Sequence, residues 1–214
     1  MSSENRLDAL IGRIVADDAL HAKWLNTFSF LEYVGFRKIV KSQRAEALSG
    51  AVLNHALEEG RHALGLKKLA VKLGGPELDS YAPEALLCGD EAEAYFQDLD
   101  AACDEALSDQ PEAERVKLVY CYVTWLIERR ALGVYGAYKA AIDGSEVARK
   151  LDGLLAEESR HLADVEGWLQ QGDAAFGERS RAFEAIEGAL YARFIEALAG
   201  DLARRATQAT PASA

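Results

Sequence analysis

Two short stretches of the chain repeat one chemical pattern. Glu58-Glu59-Gly60-Arg61-His62 and Glu157-Glu158-Ser159-Arg160-His161 both read Glu-Glu-x-Arg-His. In each, the second Glu and the His are three positions apart, which on an α-helix puts both side chains on one face, a turn apart. A carboxylate and an imidazole so placed can close on one metal ion. Two such pairs, each joined by a further Glu from another helix, can hold two ions. Glu-x-x-His alone is a weak signal. The full pattern occurring twice, each time inside a strongly helical stretch, is far more specific than a solvated Glu/Arg face with surface histidines.

Helices are needed to position these pairs, and the periodicity supplies them. A leading helix is expected over Asn5 to Ala16, with Leu7, Leu10, Ile11 and Ile14 at helical spacing. A second runs from Asp17 to Ser42, where Leu25, Phe28, Leu31, Phe36 and Ile39 form an apolar stripe with Glu32 in its middle. A Glu on such a face needs a partner. The third spans Arg44 to Leu73, stopped by Gly74-Gly75-Pro76, and puts His55, Glu59 and His62 on one face. A crossover from Glu77 to Gln110 holds a turn at Pro83 and an acidic amphipathic helix over Asp90 to Leu107. Pro111 suits the first turn of a long helix to Ile142, apolar nearly all round from Leu118 to Ile127 and leading straight to Glu128. Ser145 to Gln170 carries Glu158 and His161, and Ser180 to Arg205 makes a last helix.

The chain therefore reads as a diverged duplication, each half a helix with one central Glu followed by a helix with Glu-Glu-x-Arg-His. At ~1.5 Å per residue, the acidic positions within each hairpin differ in depth by under ~8 Å. Antiparallel neighbours bring Glu32, Glu59, His62, Glu128, Glu158 and His161 near one level. Four carboxylates and two imidazoles suit iron(II) or manganese(II) better than tetrahedral zinc with thiolates.

Composition narrows the field further. The net charge of −11 argues against nucleic acid or an anionic membrane as partner. The three cysteines, Cys88, Cys103 and Cys121, form no Cys-x-x-Cys motif and fit a reducing cytoplasm. Met1 to Leu20 has no signal-peptide core, and no apolar run is long enough to span a bilayer. A cytoplasmic protein with no membrane partner is expected, as a single domain over residues 1–206 with a disordered tail at 207–214.

At these residues the sequence resembles the ferritin-like di-iron carboxylate superfamily, whose site takes one Glu from each of two helices and Glu-x-x-His from each of two others. The resemblance covers roughly residues 17 to 170. It implies an all-α fold, a ferritin-like antiparallel four-helix bundle with a long crossover and flanking helices. Glu32 and Glu128 match the single carboxylates, and Glu59 with His62 and Glu158 with His161 match the paired ligands. It also implies that Glu58 orients His161, that Glu157 orients His62, and that Arg61 and Arg160 offset nearby charge. The implied cofactor is two iron ions, with manganese or a mixed manganese–iron pair as the alternative.

Tyr135, two turns after Glu128, is either a tyrosine beside the site, as relatives often keep, or a core tyrosine. His55, one turn before Glu59, is an extra ligand, a proton donor or a hydrogen-bonded core histidine. Its repeat-equivalent position is Leu154. His21 and Trp125 read as structural. The implied function is a di-iron oxidoreductase that activates dioxygen and oxidises a small apolar substrate, drawing on a separate electron donor, as a monomer or small homo-oligomer. The alternatives are a ferroxidase, a rubrerythrin-like peroxide scavenger, and a non-enzymatic helical bundle stabilised by metal.

Overall fold

The computed structural model describes residues 3–42 and 48–209. Among them are seven α-helices and no strand: α1 (Ser3–Val15), α2 (Asp18–Ser42), α3 (Gly50–Gly74), α4 (Gly89–Ala106), α5 (Glu112–Ala141), α6 (Glu146–Gly172) and α7 (Phe176–Ala209). Single 3₁₀ turns at Pro76–Leu78 and Pro83–Ala85 shape the crossover from α3 to α4. No helix of the described residues is long and apolar enough to cross a membrane.

Local chemistry sets the helix starts. The Asp17 carboxylate accepts from the backbone N–H groups of Ala19 and Leu20 at 2.9 and 3.0 Å. The Ser49 and Ser145 hydroxyls cap α3 and α6, accepting from Val52 and Ala148 at 3.2 and 3.0 Å. Each satisfies a donor that the first turn leaves without an intrahelical partner. Gly75, at φ +102°, ends α3 in a conformation that side chains disfavour.

Four boundaries differ from the periodicity. α3 starts at Gly50, because Ser49 is its cap; residues 44–47 of the expected start lie outside the described residues. Pro111 occupies the cap position of α5 instead of its first turn. α7 begins at Phe176, four residues early, and continues through Ala209. Thr207, expected in a disordered tail, is helical and returns its hydroxyl to Ala203 O at 3.1 Å; residues 210–214 lie outside the described residues.

The helices pair as antiparallel neighbours. In the α2–α3 hairpin, Ala22 lies against Gly74, Ser29 against Ala63 and Gly35 against Glu59. In the α5–α6 hairpin, Trp125 reaches Glu166 and Lys139 reaches Asp152. The hairpins face each other through two seams. Across α3–α6, Glu58 meets His161, His62 meets Glu157 and Lys72 meets Glu146. Across α2–α5, Phe28 packs on Tyr135 and Tyr138, and His21 bonds the Tyr138 hydroxyl at 2.6 Å.

Two apolar clusters grip this arrangement. One includes Ile11, Leu25, Leu66, Tyr138, Leu151 and Leu198. The other includes Leu99, Leu118, Tyr122, Trp125, Leu169 and Phe183. Along α5 the second cluster ends at Leu126 and the buried part of the first resumes at Val134, with Glu128 between. Along α6 the first ends near Leu154 and the second resumes near Val165, with Glu158 and His161 between. The polar level is thus held from above and below by packed side chains.

Close approach at the end of α3 offers a test. A Cβ on Gly74 would stand 2.6 Å from the Ala22 Cβ, which cannot swing away, and 2.5 Å from a Leu78 methyl. Gly74→Ala is expected to destabilise the protein by about 1–3 kcal/mol through overpacking, measured by urea denaturation. Unchanged stability would mean that α2 and α3 are not this close.

Candidate metal centre

The structure brings all six sequence-predicted ligands together. Glu32 comes from α2, Glu59 and His62 from α3, Glu128 from α5, and Glu158 and His161 from α6. Their exposures run from 2 % to 8 %, so each must find its partner inside the protein. They form two groups that could each hold a metal ion. Glu32, Glu59, His62 and Glu158 make one; His55, Glu59, Glu128 and His161 make the other. Within each group one ligand atom per residue lies within 4.8 Å of all the others, and Glu59 belongs to both. Three of the four histidines in the chain converge here.

The ring orientations are set from behind. His161 Nε2 bonds Glu58 Oε2 at 2.6 Å, and His62 Nε2 bonds Glu157 Oε2 at 2.7 Å. An ionised carboxylate only accepts, so in the neutral ring Nε2 carries the proton and Nδ1 turns a lone pair toward the centre. Arg160 donates to both oxygens of Glu58 at 2.8 Å, and Arg61 spans Glu58 and Glu157 at 3.4 and 3.5 Å. Burial works against the Glu58 charge, yet the bonds from His161 and Arg160 hold its carboxyl down at about 2.

The inner atoms fit a cation. Glu59 Oε1, His62 Nδ1, Glu158 Oε1 and His161 Nδ1 are buried without a hydrogen-bond partner. His62 Nδ1 and Glu158 Oε1 come within 2.8 Å of each other without the alignment of a hydrogen bond. Four buried polar atoms without an aligned partner, spread over the two ligand groups, are rare in a folded protein unless something binds them. An oxygen-rich donor set with imidazoles suits a divalent transition metal.

By themselves the side chains settle their charges by sharing protons. Burial pushes the carboxyls of Glu32, Glu59 and Glu128 up, and neighbouring carboxylates add to it. Burial also opposes charge on His62 and His161, but their carboxylate partners outweigh it and lift them to about 11 and about 10. Glu158, facing Glu128 and both histidines, falls below the usual carboxylate range despite its burial.

The remaining candidates take distinct places. The Tyr135 hydroxyl donates to Glu32 Oε1, so it stands beside the site. His55 Nε2 lies 3.1 Å from Glu128 Oε1 and 3.3 Å from Glu59 Oε1, while its Nδ1 meets the Tyr120 hydroxyl at 3.1 Å. Burial takes His55 down to about 4. His21 and Trp125 pack in the apolar clusters' surroundings, away from the ligands. Tyr120 was not singled out from the sequence, although it lies eight residues before Glu128, two helical turns back on the same face.

A cavity of about 580 Å³ ends at this centre. Its walls come from α2, α4, α5 and α7, through Phe28, Leu31, Phe96, Val123, Ile127 and Phe194 among others. The four ligand carboxylates, His55 and Tyr135 border it, and His62 and His161 do not. Arg130 braces the wall: it pairs with Glu187 of α7 through two contacts of 2.7 Å, and Tyr95 of α4 donates to the same carboxylate at 2.6 Å. The apolar stretch of α5 is two-faced. Val119, Val123 and Ile127 line the cavity as well as packing on the second cluster, while Leu118, Tyr122 and Trp125 lie in that cluster away from the cavity.

The chain matches no family model, and no curated protein or solved structure is similar enough to match it.

The proton sharing sets a pH dependence for the metal-free protein. Above pH 6.5 the unfolded chain loses its histidine protons, while folded His62 and His161 keep theirs to about 11 and about 10. The folded state then binds more protons, so stability falls as pH rises. The raised carboxyls Glu32, Glu59 and Glu128 act in the same direction. Lys67, lowered to about 8 by burial, and Lys38, His21 and His55, also lowered mainly by burial, oppose them. The two raised histidines, the three raised carboxyls and the raised thiols of Cys88, Cys103 and Cys121 outweigh these. In the presence of a chelator the melting temperature is expected to be lower at pH 9.5 than at pH 6.5. A flat or rising melting temperature over that window contradicts this account of the charges.

Proposed function

We propose that the protein is a ferritin-like four-helix bundle, built by α2, α3, α5 and α6, that binds two iron ions and acts as an oxidoreductase on dioxygen. The observation that carries this reading is the sharing of Glu59 by two buried ligand groups at the foot of a largely apolar cavity. The pattern of one Glu from each of α2 and α5 and Glu-x-x-His from each of α3 and α6 is that of di-metal carboxylate bundles. Manganese, or a manganese–iron pair, is the alternative occupant that the same donors accept.

Iron(II) held there by the two ligand groups would supply electrons for the reduction of dioxygen. The chain's own residues do the rest. Glu32, Glu59, Glu128 and Glu158 hold the ions and offset their charge, and His62 and His161 are kept in their binding tautomer by Glu157 and Glu58. Tyr135, bonded to Glu32, is a proton donor at the cavity face. The cavity takes a small apolar molecule and keeps bulk water from the centre, since such pockets bind mainly by apolar contact with a few polar groups. Oxygenation of a C–H group consumes dioxygen, two electrons and two protons and leaves the alcohol and water. The electrons would come from a separate donor, since the thiols of Cys88, Cys103 and Cys121 are pushed up to about 12, about 12 and about 11, mainly by burial, which disfavours their thiolates.

Anaerobic loading with iron(II) is expected to give two irons per chain by mass spectrometry. On exposure to oxygen the optical and Mössbauer signatures of a coupled ferric pair should appear once and then stop without reductant, in a monomer or small oligomer by light scattering. Fewer than one bound iron or manganese sinks the reading. Retention of many irons in a particle of twelve or more subunits indicates a ferritin-type store. Fast peroxide turnover without an organic product indicates a rubrerythrin-like scavenger, and tight metal with no oxygen reaction a purely structural role. Metal should also raise the melting temperature, by about 2.7 kcal/mol of stability at ~100 times the dissociation constant. Glu128→Ala should weaken binding and narrow that gap.

A further inference from the structure

We infer that His55 is a seventh metal ligand, so that the two metal positions are unequal: one takes a single imidazole and the other takes two. This rests on the di-metal reading above and adds to it.

The distances carry the inference. His55 Nε2 lies 3.1 Å from Glu128 Oε1 and 3.3 Å from Glu59 Oε1. His161 Nδ1 lies 3.7 Å from that Glu128 oxygen and 3.9 Å from that Glu59 oxygen. Around an ion with bonds of ~2.1 Å, ligand atoms at right angles stand ~3.0 Å apart and opposed ones ~4.2 Å. All four separations fall in that interval. The two rings lean together with centroids 4.3 Å apart, as two ligands of one ion can.

The far side of the ring agrees. His55 Nδ1 meets the Tyr120 hydroxyl at 3.1 Å. A hydroxyl can accept from Nδ1–H, which leaves the Nε2 lone pair toward Glu59 and Glu128. Tyr120 then does for His55 what Glu58 does for His161, with the two nitrogens exchanged. A merely packed His55 would have the other tautomer, donating from Nε2 to Glu128 across the 3.1 Å contact, which also has hydrogen-bond geometry, so the tautomer separates the two roles.

The second position has no counterpart. One turn before Glu158 stands Leu154, a buried member of the apolar cluster. That position keeps three carboxylates and one imidazole, from Glu32, Glu59, Glu158 and His62. Imidazole favours the later first-row ions, and carboxylates favour manganese. The two ions therefore bind in sequence, a later metal entering first beside His55 and His161.

Cobalt(II) alone is the probe. The metal-free full chain should bind two cobalt ions in two resolved steps by calorimetry. The proton spectrum of the loaded protein should hold three paramagnetically shifted, exchangeable ring N–H signals, from His55, His62 and His161. His55→Gln should weaken the tighter step about tenfold or more and remove one of the three signals, whereas His62→Gln should weaken the other step. Two bound ions with only two shifted signals in the unaltered chain, or unchanged steps in a folded His55→Gln, would overturn the seventh ligand and leave the di-metal reading standing. Fewer than two bound ions in the unaltered chain would overturn both. The signal count needs no variant, so it decides the matter even if His55→Gln does not fold.

Discussion

Glu32, Glu59, Glu128 and Glu158 are buried at one level of the protein, between two packed apolar clusters. Four carboxylates so close cannot all be charged without compensation, because burial and mutual repulsion both favour the neutral form. The structure answers that repulsion with histidines in front and arginines behind. His62 and His161 take charge from the carboxylates they face. Arg61 and Arg160 stabilise Glu58 and Glu157, which in turn aim those histidines. Removing any one of these charges leaves another buried and unmatched, so the polar level behaves as a unit.

The α3–α6 seam exists to make that unit possible. Glu58 and Glu157 reach across it in opposite directions, each to the histidine of the other helix, and the two Glu-Glu-x-Arg-His stretches satisfy one another. This reciprocity demands that α3 and α6 run antiparallel in one register. A shift of a single residue would rotate each His by about 100° off its carboxylate. The cap hydroxyls of Ser49 and Ser145 begin the two helices that carry these motifs.

Much of this was legible in the chain, for identifiable reasons. The paired Glu-x-x-His spacing survives any rotation of the helices, because it is local. Glu32 and Glu128 stood out as acids inside apolar stripes, a conflict that only a partner resolves. The crossed Glu58–His161 and Glu157–His62 bonds followed the family resemblance and are present as geometry. What escaped was set by distant segments. The cavity draws walls from α4 and α7, and apolar side chains such as Phe96 and Phe194 look the same in sequence whether they line a space or fill one. The stretch from Leu118 to Ile127 reads as uniformly buried, and only the packing shows that alternate faces serve a cavity and a core. The start of α7 escaped because Phe176 packs on Tyr122 and Trp125, a tertiary contact that overrides the weak local pattern.

The repeat is symmetric in its charges and asymmetric in its surroundings. On the α3–α6 side the centre is polar, with Arg61 and Arg160 open to solvent and Glu157 partly so. On the α2–α5 side it opens to the apolar cavity, which the four carboxylates border and His62 and His161 do not. The charged groups therefore lie on one side of the centre and the largely apolar cavity on the other. His55 is the one histidine on the cavity side, held against Tyr120 of α5, and Leu154 stands where its repeat partner would be. A duplicated ligand frame with unequal faces can keep the tight ion pairs of one half while adapting the other. The departure from symmetry falls where the cavity meets the carboxylates, on the side away from the crossed bonds between α3 and α6.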